Sequence, residues 1–367
     1  MNFIEHIEKT SDRDWSAKKV AIPVNIGIEP MKRLLIADFI DDPEFEAIEP
    51  QLFSDVVNGN GLRILLYRKD KKVDVYYQRG IWVDPSTFNI GDGIGVLKET
   101  IIEPAVFNIT PNGIDLHCQF TDIEGRIIEL KIKENTRDNK RFSFLAPVGN
   151  DIREPKQLFL AYMKGFDFIR KKNTVFFARI DKRVLKPAGF PLTRCFKRVY
   201  FARYSTEPNV GTFNPPMNKP LIFNYSRNKT VEVGNMTVQL DNNGRVKVIT
   251  TEYMDVKAAI HFPEGYPNLL ELDNSKEYSG DWNYLISGVK IVSGIYKLFR
   301  NDHKVLVQFE VTEPWRPVAL PFNFKVFTTA VSHFKKWPTT YKWNGIVEIS
   351  NDMNLSGCWE RIGISPQ

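Results

Sequence analysis

The chain has 367 residues, of which 43% are hydrophobic and 26% charged, and its net charge is +6. This composition excludes a disordered chain, and the length exceeds one usual core, so we expect two domains. Cys118, Cys195 and Cys358 are odd in number and widely spaced, which argues against disulfides or a zinc knuckle. Residues 1–15 lack a signal peptide, and no apolar run is long enough to span a bilayer, so we expect a cytoplasmic protein.

The first sixty residues are the least regular part of the chain. Met31, Leu34, Leu35 and Phe39 follow Pro30 at helical spacing. The spacing predicts a short helix in an otherwise irregular segment, residues 1–60, packed on the first domain.

Alternating apolar and polar residues predict strands through residues 61–190, the first domain. Residues 114–120 and 128–132 alternate on either side of a turn and predict a hairpin. A second hairpin is predicted between 166–170 and 175–180, although residues 154–165 also fit a helix.

Prolines accumulate in residues 191–220, which predicts a connection between two domains, with one strand near 198–204. Residues 221–367 form the second domain. The pattern in 245–262 is clearest: apolar residues share one parity and polar residues the other, with a break at residues 249–252 that predicts a bulge or bend. Further strands are predicted over 221–225, 230–233, 236–240, 290–299, 305–312, 323–329, 341–350 and 355–362.

Short antiparallel strands in this order favour a mainly β fold with little helix. Long sheets avoid exposed edges by closing or doubling up, so each half is predicted to be a β-barrel or a curled sandwich.

No nucleotide, metalloprotease or hydrolase motif occurs, and we expect no cofactor and no metal ion. His261 and Asp255 lie on the polar side of the 245–262 segment and are candidate acid–base residues. The alternative is that both residues face solvent. His333, which lies among aromatic residues, is the best single candidate for handling a proton.

Aromatic residues are concentrated after residue 280. The candidate ligand-binding residues are Trp282, Tyr284, Trp315, Trp337, Tyr341, Trp343, Trp359 and Arg361. Around a barrel mouth these rings would line a pocket for a flat or polyene-like molecule. Alternatively they are structural, with Arg361 stacked on Trp359 to close one end of the barrel.

The two successive β units and the run Leu355-Ser356-Gly357-Cys358-Trp359-Glu360-Arg361 resemble the two-domain lipocalin-like family of carotenoid 1,2-hydratases (hydroxyneurosporene synthases) and AttH-like proteins. The resemblance covers roughly residues 60–367. It implies tandem lipocalin-like barrels around a cavity for apolar molecules, with hydration, cyclisation or carriage as activities. Those proteins usually have Gly-Tyr where Cys358-Trp359 stand here, so no catalytic residue is carried over.

The leading hypothesis is a protein that binds an isoprenoid, polyene or polyketide-like molecule, with cofactor-independent hydratase, isomerase or cyclase activity as an extension. The alternative is a non-catalytic carrier or adaptor that docks on a membrane or an anionic partner through residues 137–204, which hold 17 basic and 5 acidic side chains. The acidic N-terminal segment is a competing partner for these basic residues. Nucleic-acid binding is disfavoured because the basic residues form no compact motif.

Overall fold

Strands dominate the computed structural model, with 65% of residues in strands and 3% in helix. The structure describes residues 18–85, 92–136, 141–146, 155–190, 197–225, 229–313, 315–316, 320–330 and 337–362. The sheets are curled and include a half-barrel, which confirms the predicted mainly β fold class.

The first half of the chain builds two facing sheets. Its strands are β1 (Lys18–Ile22), β2 (Ile26–Pro30), β3 (Arg33–Ile40), β4 (Phe45–Asp55), β5 (Gly59–Arg68), β6 (Val73–Tyr77), β7 (Ile94–Glu99), β8 (Ala105–Thr110), β9 (Gly113–Thr121), β10 (Ile127–Glu134), β11 (Phe142–Ala146), β12 (Leu158–Arg170), β13 (Thr174–Ile180), β14 (Arg183–Val184), β15 (Lys186–Pro187), β16 (Val199–Ser205) and β17 (Glu207–Phe213). The central sheet has the order β2-β17-β12-β16-β3-β4-β5-β6-β7, with β11 paired to β12 and β15 to β3. The second sheet has the order β14-β13-β10-β9-β8, and apolar side chains such as Leu35, Ile64, Leu116 and Leu130 fill the space between the two.

The second half builds one long sheet. Its elements are β18 (Leu221–Tyr225), β19 (Thr230–Val233), β20 (Met236–Leu240), β21 (Val246–Tyr253), β22 (Val256–Tyr266), a 3-10 helix (Leu269–Glu271), β23 (Glu277–Ile286), β24 (Val289–Asn301), β25 (Lys304–Glu313), α1 (Phe322–Ala330), β26 (Tyr341–Glu348) and β27 (Asn354–Arg361). Strands β19 to β27 follow one another as an antiparallel C-terminal sheet, while β18 pairs with β1. The inner face of the C-terminal sheet packs against β1, β2, β12, β17 and β18 in one continuous core. No helix in the described ranges has the length and apolarity that crossing a membrane requires.

Strand β12 contributes to both cores. Leu158 and Leu160 at its start lie in the core beneath the C-terminal sheet, whereas Ile169 near its end lies between the two N-terminal sheets. Gly165 separates the two parts with a φ of +60°, and a Cβ there would overlap the side chain of Thr206. Because glycine adopts this conformation without a steric penalty, Gly165 permits the bend.

The two helices predicted in the first half are wrong. Residues 31–39 contain β3, and 154–165 contain the start of β12. Both strands carry buried apolar residues on both faces, and apolar residues on both parities imitate helical spacing. The strand predicted near 198–204 is present as β16, and the predicted connection 191–220 also contains β17; both are strands of the central sheet.

The pairing predicted for residues 166–180 is also wrong, although both strands exist. Strand β13 pairs with β10, and β12 pairs with β16, β17 and β11. Asn173, with a φ of +58°, lies in a turn that carries the chain from the central sheet to the second sheet. The hairpin predicted over 114–132 is confirmed as β9 and β10.

Two predictions in the second half need correction. Residues 249–252, where a bulge or bend was predicted, lie within β21. The chain reverses just after them in a hairpin turn, because β21 ends at Tyr253, Met254 has a φ of +53° and β22 begins at Val256. The strand predicted over 323–329 is the helix α1, whose first turn is held by the Pro321 carbonyl, which accepts from the Phe324 and Lys325 amides. Its bulky apolar residues have β propensity, but packing of Phe324 against Phe142 and Phe166 decides the outcome.

Candidate functional site

The predicted aromatic residues of the C-terminal sheet point into its core. Trp282, Tyr284, Trp343 and Trp359 are buried there. Phe213 of β17 packs against three of these rings, at centroid distances of 5.1 Å from Trp282, 6.3 Å from Tyr284 and 5.5 Å from Trp359. Side chains therefore occupy the interior in which the sequence predicted a ligand.

The polar atoms of these rings bond to the backbone. The Trp359 Nε1–H lies 3.0 Å from the Phe213 carbonyl, and the Trp282 Nε1–H donates to the Ile295 carbonyl over 3.1 Å. The Tyr284 hydroxyl is 2.9 Å from the carbonyl of Gly27 in β2. The bonds of Trp359 and Tyr284 tie strands from both halves together, whereas that of Trp282 joins β23 to β24. A role for these residues in ligand binding stays a prediction.

Of the remaining predicted binding residues, Trp337 and Tyr341 are buried in this core, whereas Trp315 and Arg361 are half-buried. The Arg361 guanidinium lies over the Tyr341 ring, 5.0 Å from its centroid, and Trp337 packs nearly perpendicular to Tyr341 at 6.4 Å. Trp315 is half-buried and meets Phe144 of β11 edge to face at 5.8 Å. Arg361 thus stacks on Tyr341, a neighbour that the sequence did not indicate.

The candidate catalytic residues do not converge. Asp255 is exposed in the β21–β22 turn, and His261 is half-buried farther along β22, opposite Val248 and Asn283. Six residues of extended strand separate the two side chains by roughly 20 Å. His333 lies outside the described residues, so its role as a proton-handling residue stays a prediction.

A groove of about 630 Å³ lies on the opposite, outer face of the C-terminal sheet. Its floor is a row of apolar side chains that stand directly opposite one another across strands: Phe299 on β24, Leu306 on β25 and Ile346 on β26. Their exposed fractions are 37%, 47% and 39%. Ser356 on β27 ends this apolar row. A continuous exposed apolar surface of this kind marks an interaction site more often than scattered apolar residues do.

A polar row runs beside the apolar row, two residues away along each strand. It consists of Lys297, Gln308, Asn344 and Cys358, which face one another in register. Gln308 and Asn344 are joined amide to amide over 2.9 Å, and the Asn344 Nδ2 donates to the Glu360 carboxylate over 2.6 Å. The groove thus has an apolar floor and one hydrogen-bonded polar wall.

The groove was not predicted from the sequence, although the sequence contains a signal for it. In β25 the inner face holds Val305 and Val307, so Leu306 is an apolar residue on the parity of Lys304 and Gln308. Phe299 and Ile346 break the alternation of their strands in the same way. The outward-facing positions of three neighbouring strands thus contain apolar residues that do not belong to the core.

A separate polar network lies on the face of the central sheet that turns away from the second sheet. The buried Glu49 carboxylate accepts from the Tyr67 hydroxyl and from the Gln51 amide, both over 2.6 Å. Burial raises the pKa of Glu49, while these two donors lower it. Arg63 continues the network, since it donates to Gln51 and lies 3.3 Å from Glu29. Both carboxylate oxygens of Glu49 accept hydrogen bonds from residues of the same sheet, so the hydrogen-bonding capacity of this buried group is satisfied.

Several cations of the basic segment 137–204 pair with the acidic N-terminal segment. Arg183 binds Asp42 at 3.0 Å and Glu44 at 2.9 Å, and Arg203 binds Asp38. Packing of the two segments was one of the alternatives for this charge asymmetry. These pairs reduce the positive charge that remains for an anionic partner.

Comparisons of the chain with protein-family models, with curated proteins and with solved structures give no match. The resemblance to the two-domain lipocalin-like family therefore stays a prediction from sequence.

Proposed function

We propose that this protein binds a small apolar molecule in the outer groove of its C-terminal sheet and acts as a carrier. The observation that carries the proposal is the row of Phe299, Leu306 and Ile346, exposed along the floor of a groove of about 630 Å³. That volume falls within the roughly 300–1,000 Å³ typical of small-molecule sites.

The dimensions of the groove favour an elongated ligand. The apolar row crosses from β24 to β26, two steps between strands of about 4.8 Å each, or roughly 10 Å in all. A chain laid across the strands would cover Phe299, Leu306 and Ile346 and remove their apolar surface from water. The polar wall would lie along one side of that chain.

This proposal keeps the ligand class expected from the sequence and changes its place. The expected site was the interior of a barrel, where Trp282, Tyr284 and Trp359 make close ring contacts with Phe213. The groove lies on the other face of the same strands. No catalytic step is included, because His261 and Asp255 are far apart and neither lines the groove.

Replacement of Leu306 by aspartate tests the proposal. A carboxylate in the centre of the apolar row should weaken binding of the neutral dye Nile red at least about tenfold, because an apolar ligand cannot solvate the charge. Fluorescence titration measures the affinity, and circular dichroism checks the fold.

Val175→Asp is the matched control, since Val175 is an exposed apolar residue on β13, far from the groove in the fold. The control should bind the dye like the unaltered protein. Failure of the unaltered protein to bind any neutral apolar probe, or equal affinity for both variants, would contradict the proposal.

A further inference from the structure

Two charged side chains at one end of the groove lack the partners that neighbouring charges have. Three lysines of strands β24 to β26 form ion pairs across or along the sheet: Lys290 with Glu313 at 2.9 Å, Lys304 with Glu348 at 3.3 Å and Lys342 with Glu310 at 3.7 Å. Lys297 and Glu277 also line the groove, and neither forms an ion pair with any residue in the described ranges.

These two charges flank the start of the apolar row. Glu277 on β23 stands directly opposite Phe299 on β24, and Lys297 precedes Phe299 by two residues on the same face. Glu277 and Lys297 are therefore diagonal neighbours, a geometry that places the two residues roughly 7–8 Å apart, with their Cβ atoms somewhat closer. Both side chains are exposed and reach the same end of the groove.

We propose that the groove takes a single-tailed amphiphile whose polar head carries both a positive and a negative charge. The tail would lie on Phe299, Leu306 and Ile346, the anionic part of the head beside Lys297 and the cationic part beside Glu277. This inference rests on the proposed function, because it assigns the head of the ligand whose tail the apolar row binds.

Charge complementarity distinguishes this ligand from simpler amphiphiles. The carboxylate of a fatty acid would be attracted by Lys297 but repelled by Glu277. The head of an alkyl cation would be attracted by Glu277 but repelled by Lys297. A zwitterionic head complements both side chains at once, and removal of like-charge repulsion contributes to specificity as much as attraction does. The narrow apolar row accommodates one chain, so the ligand is a dispersed monomer rather than a membrane surface.

Competition against bound Nile red tests this assignment with four probes that share a twelve-carbon tail. These are dodecylphosphocholine, dodecanoate, dodecyltrimethylammonium and dodecanol, each used below the concentration at which it forms micelles. We expect the zwitterionic probe to bind more tightly than either singly charged probe by about two- to fivefold, the range that exposed ion pairs give.

Two substitutions should then change the order of affinities in opposite directions. Lys297→Gln should make the cationic probe the preferred charged ligand, and Glu277→Gln should do the same for dodecanoate. Lys304→Gln, which alters a paired lysine on the same face, should leave the order unchanged.

The outcomes separate the two proposals. If none of the four probes displaces the dye, the proposed groove itself is wrong. If dodecanol and the three charged probes bind with equal affinity, the groove still binds an apolar tail, but the assignment of the charged head is overturned. Lys297 and Glu277 are then only solvated. Tighter binding to phosphatidylcholine vesicles than to monomeric dodecylphosphocholine would also overturn it.

Discussion

Trp343 depends on two neighbours that have no side chain. Gly345 follows it on β26 and faces Gly357 on β27, so both glycines lie on the inner face beside the indole. A Cβ at either position would overlap the Trp343 ring. The core accommodates the ring here because these positions carry no side chain.

Gly345→Ala should therefore destabilise the protein by about 1–3 kcal/mol, the usual range for overpacking a well-filled core. Urea unfolding followed by tryptophan fluorescence measures the change. Gly189→Ala is the control, because the nearest atom to a Cβ there is the flexible Lys171 Nζ at 3.5 Å.

A second substitution tests the cause. Replacement of Trp343 by phenylalanine in the Gly345→Ala background should recover part of the lost stability, so that the two effects are not additive. Strict additivity would contradict a clash between this pair.

At the scale of elements, an ion-pair network joins the two sheets of the first half. Glu44, just before β4, accepts from Arg126, just before β10, at 2.7 Å and 2.8 Å, and from Arg183 in β14 at 2.9 Å. Hydrogen bonds from Arg126, with those from Arg183, hold the pKa of Glu44 below its usual value despite some burial. The network thereby fixes one edge of the sandwich.

Glu44→Gln should cost about 1 kcal/mol at neutral pH, because it removes a charge shared by two arginines. A carboxylate with a lowered pKa stabilises the fold above its unfolded pKa, near 4.5, and loses that contribution as the pH falls below this value. The difference in unfolding free energy between the two proteins should therefore shrink from pH 6 to pH 3.

Chemical denaturation at several pH values measures this difference. Glu252→Gln is the control, because Glu252 is exposed and forms no ion pair with any described residue. A difference between the unaltered protein and Glu44→Gln that stays constant down to pH 3 would contradict the assigned role of the network.

The elements also show how far the sequence predicts this fold. The strands β9 and β10 were predictable because each has one buried and one exposed face, so Leu116 and Leu130 alternate with polar residues. Strands β3 and β12 could not be predicted in this way, because both of their faces are buried and apolar and polar residues no longer alternate with a period of two. The local pattern of a strand also does not specify which strand it pairs with, so the pairing of β13 with β10 could not be predicted.

The same limit applies to the candidate site. The sequence predicted a ligand-binding region in the C-terminal strands, with Trp359 among its residues, but it did not assign the faces of the sheet. Leu306 and Ile346 are forty residues apart in sequence and meet only because β25 and β26 pair in one particular register. Register is set by the hydrophobic faces and turns together, so it cannot be inferred from either strand alone.

At the scale of the whole molecule, the two halves share a core. Strands β1 and β2 at the start of the described chain, together with β17 just past its middle, contribute Ile22, Ile26 and Phe213 to the core of the C-terminal sheet. The Tyr253 hydroxyl of the β21–β22 turn bonds to Asp55 beside β5, and the Asn58 amide lies 3.1 Å from the same hydroxyl. Buried contacts of this extent couple the stability of the halves.

We therefore expect a single cooperative unfolding transition. Tryptophan fluorescence reports mainly on the second half, which holds five of the seven tryptophans. Alkylation of the buried Cys118 thiol, located by peptide mass spectrometry, reports on the core of the first half. Both probes should give the same urea midpoint. Two separated midpoints would show that the halves unfold as independent domains, which is what the predicted boundary at 191–220 implies.

The hydrogen bond from the Ala21 amide to the Asn268 side chain closes a loop of 247 residues. A ribosome adding roughly 5–20 residues per second takes about 12–50 seconds to deliver the second partner after the first. Strand β1 stays unpaired in the nascent polypeptide until β18 is made, and the apolar side chains around it stay exposed until the C-terminal sheet follows. Newly made molecules of this protein thus pass through a long aggregation-prone period, during which chaperones that shield apolar segments have time to bind.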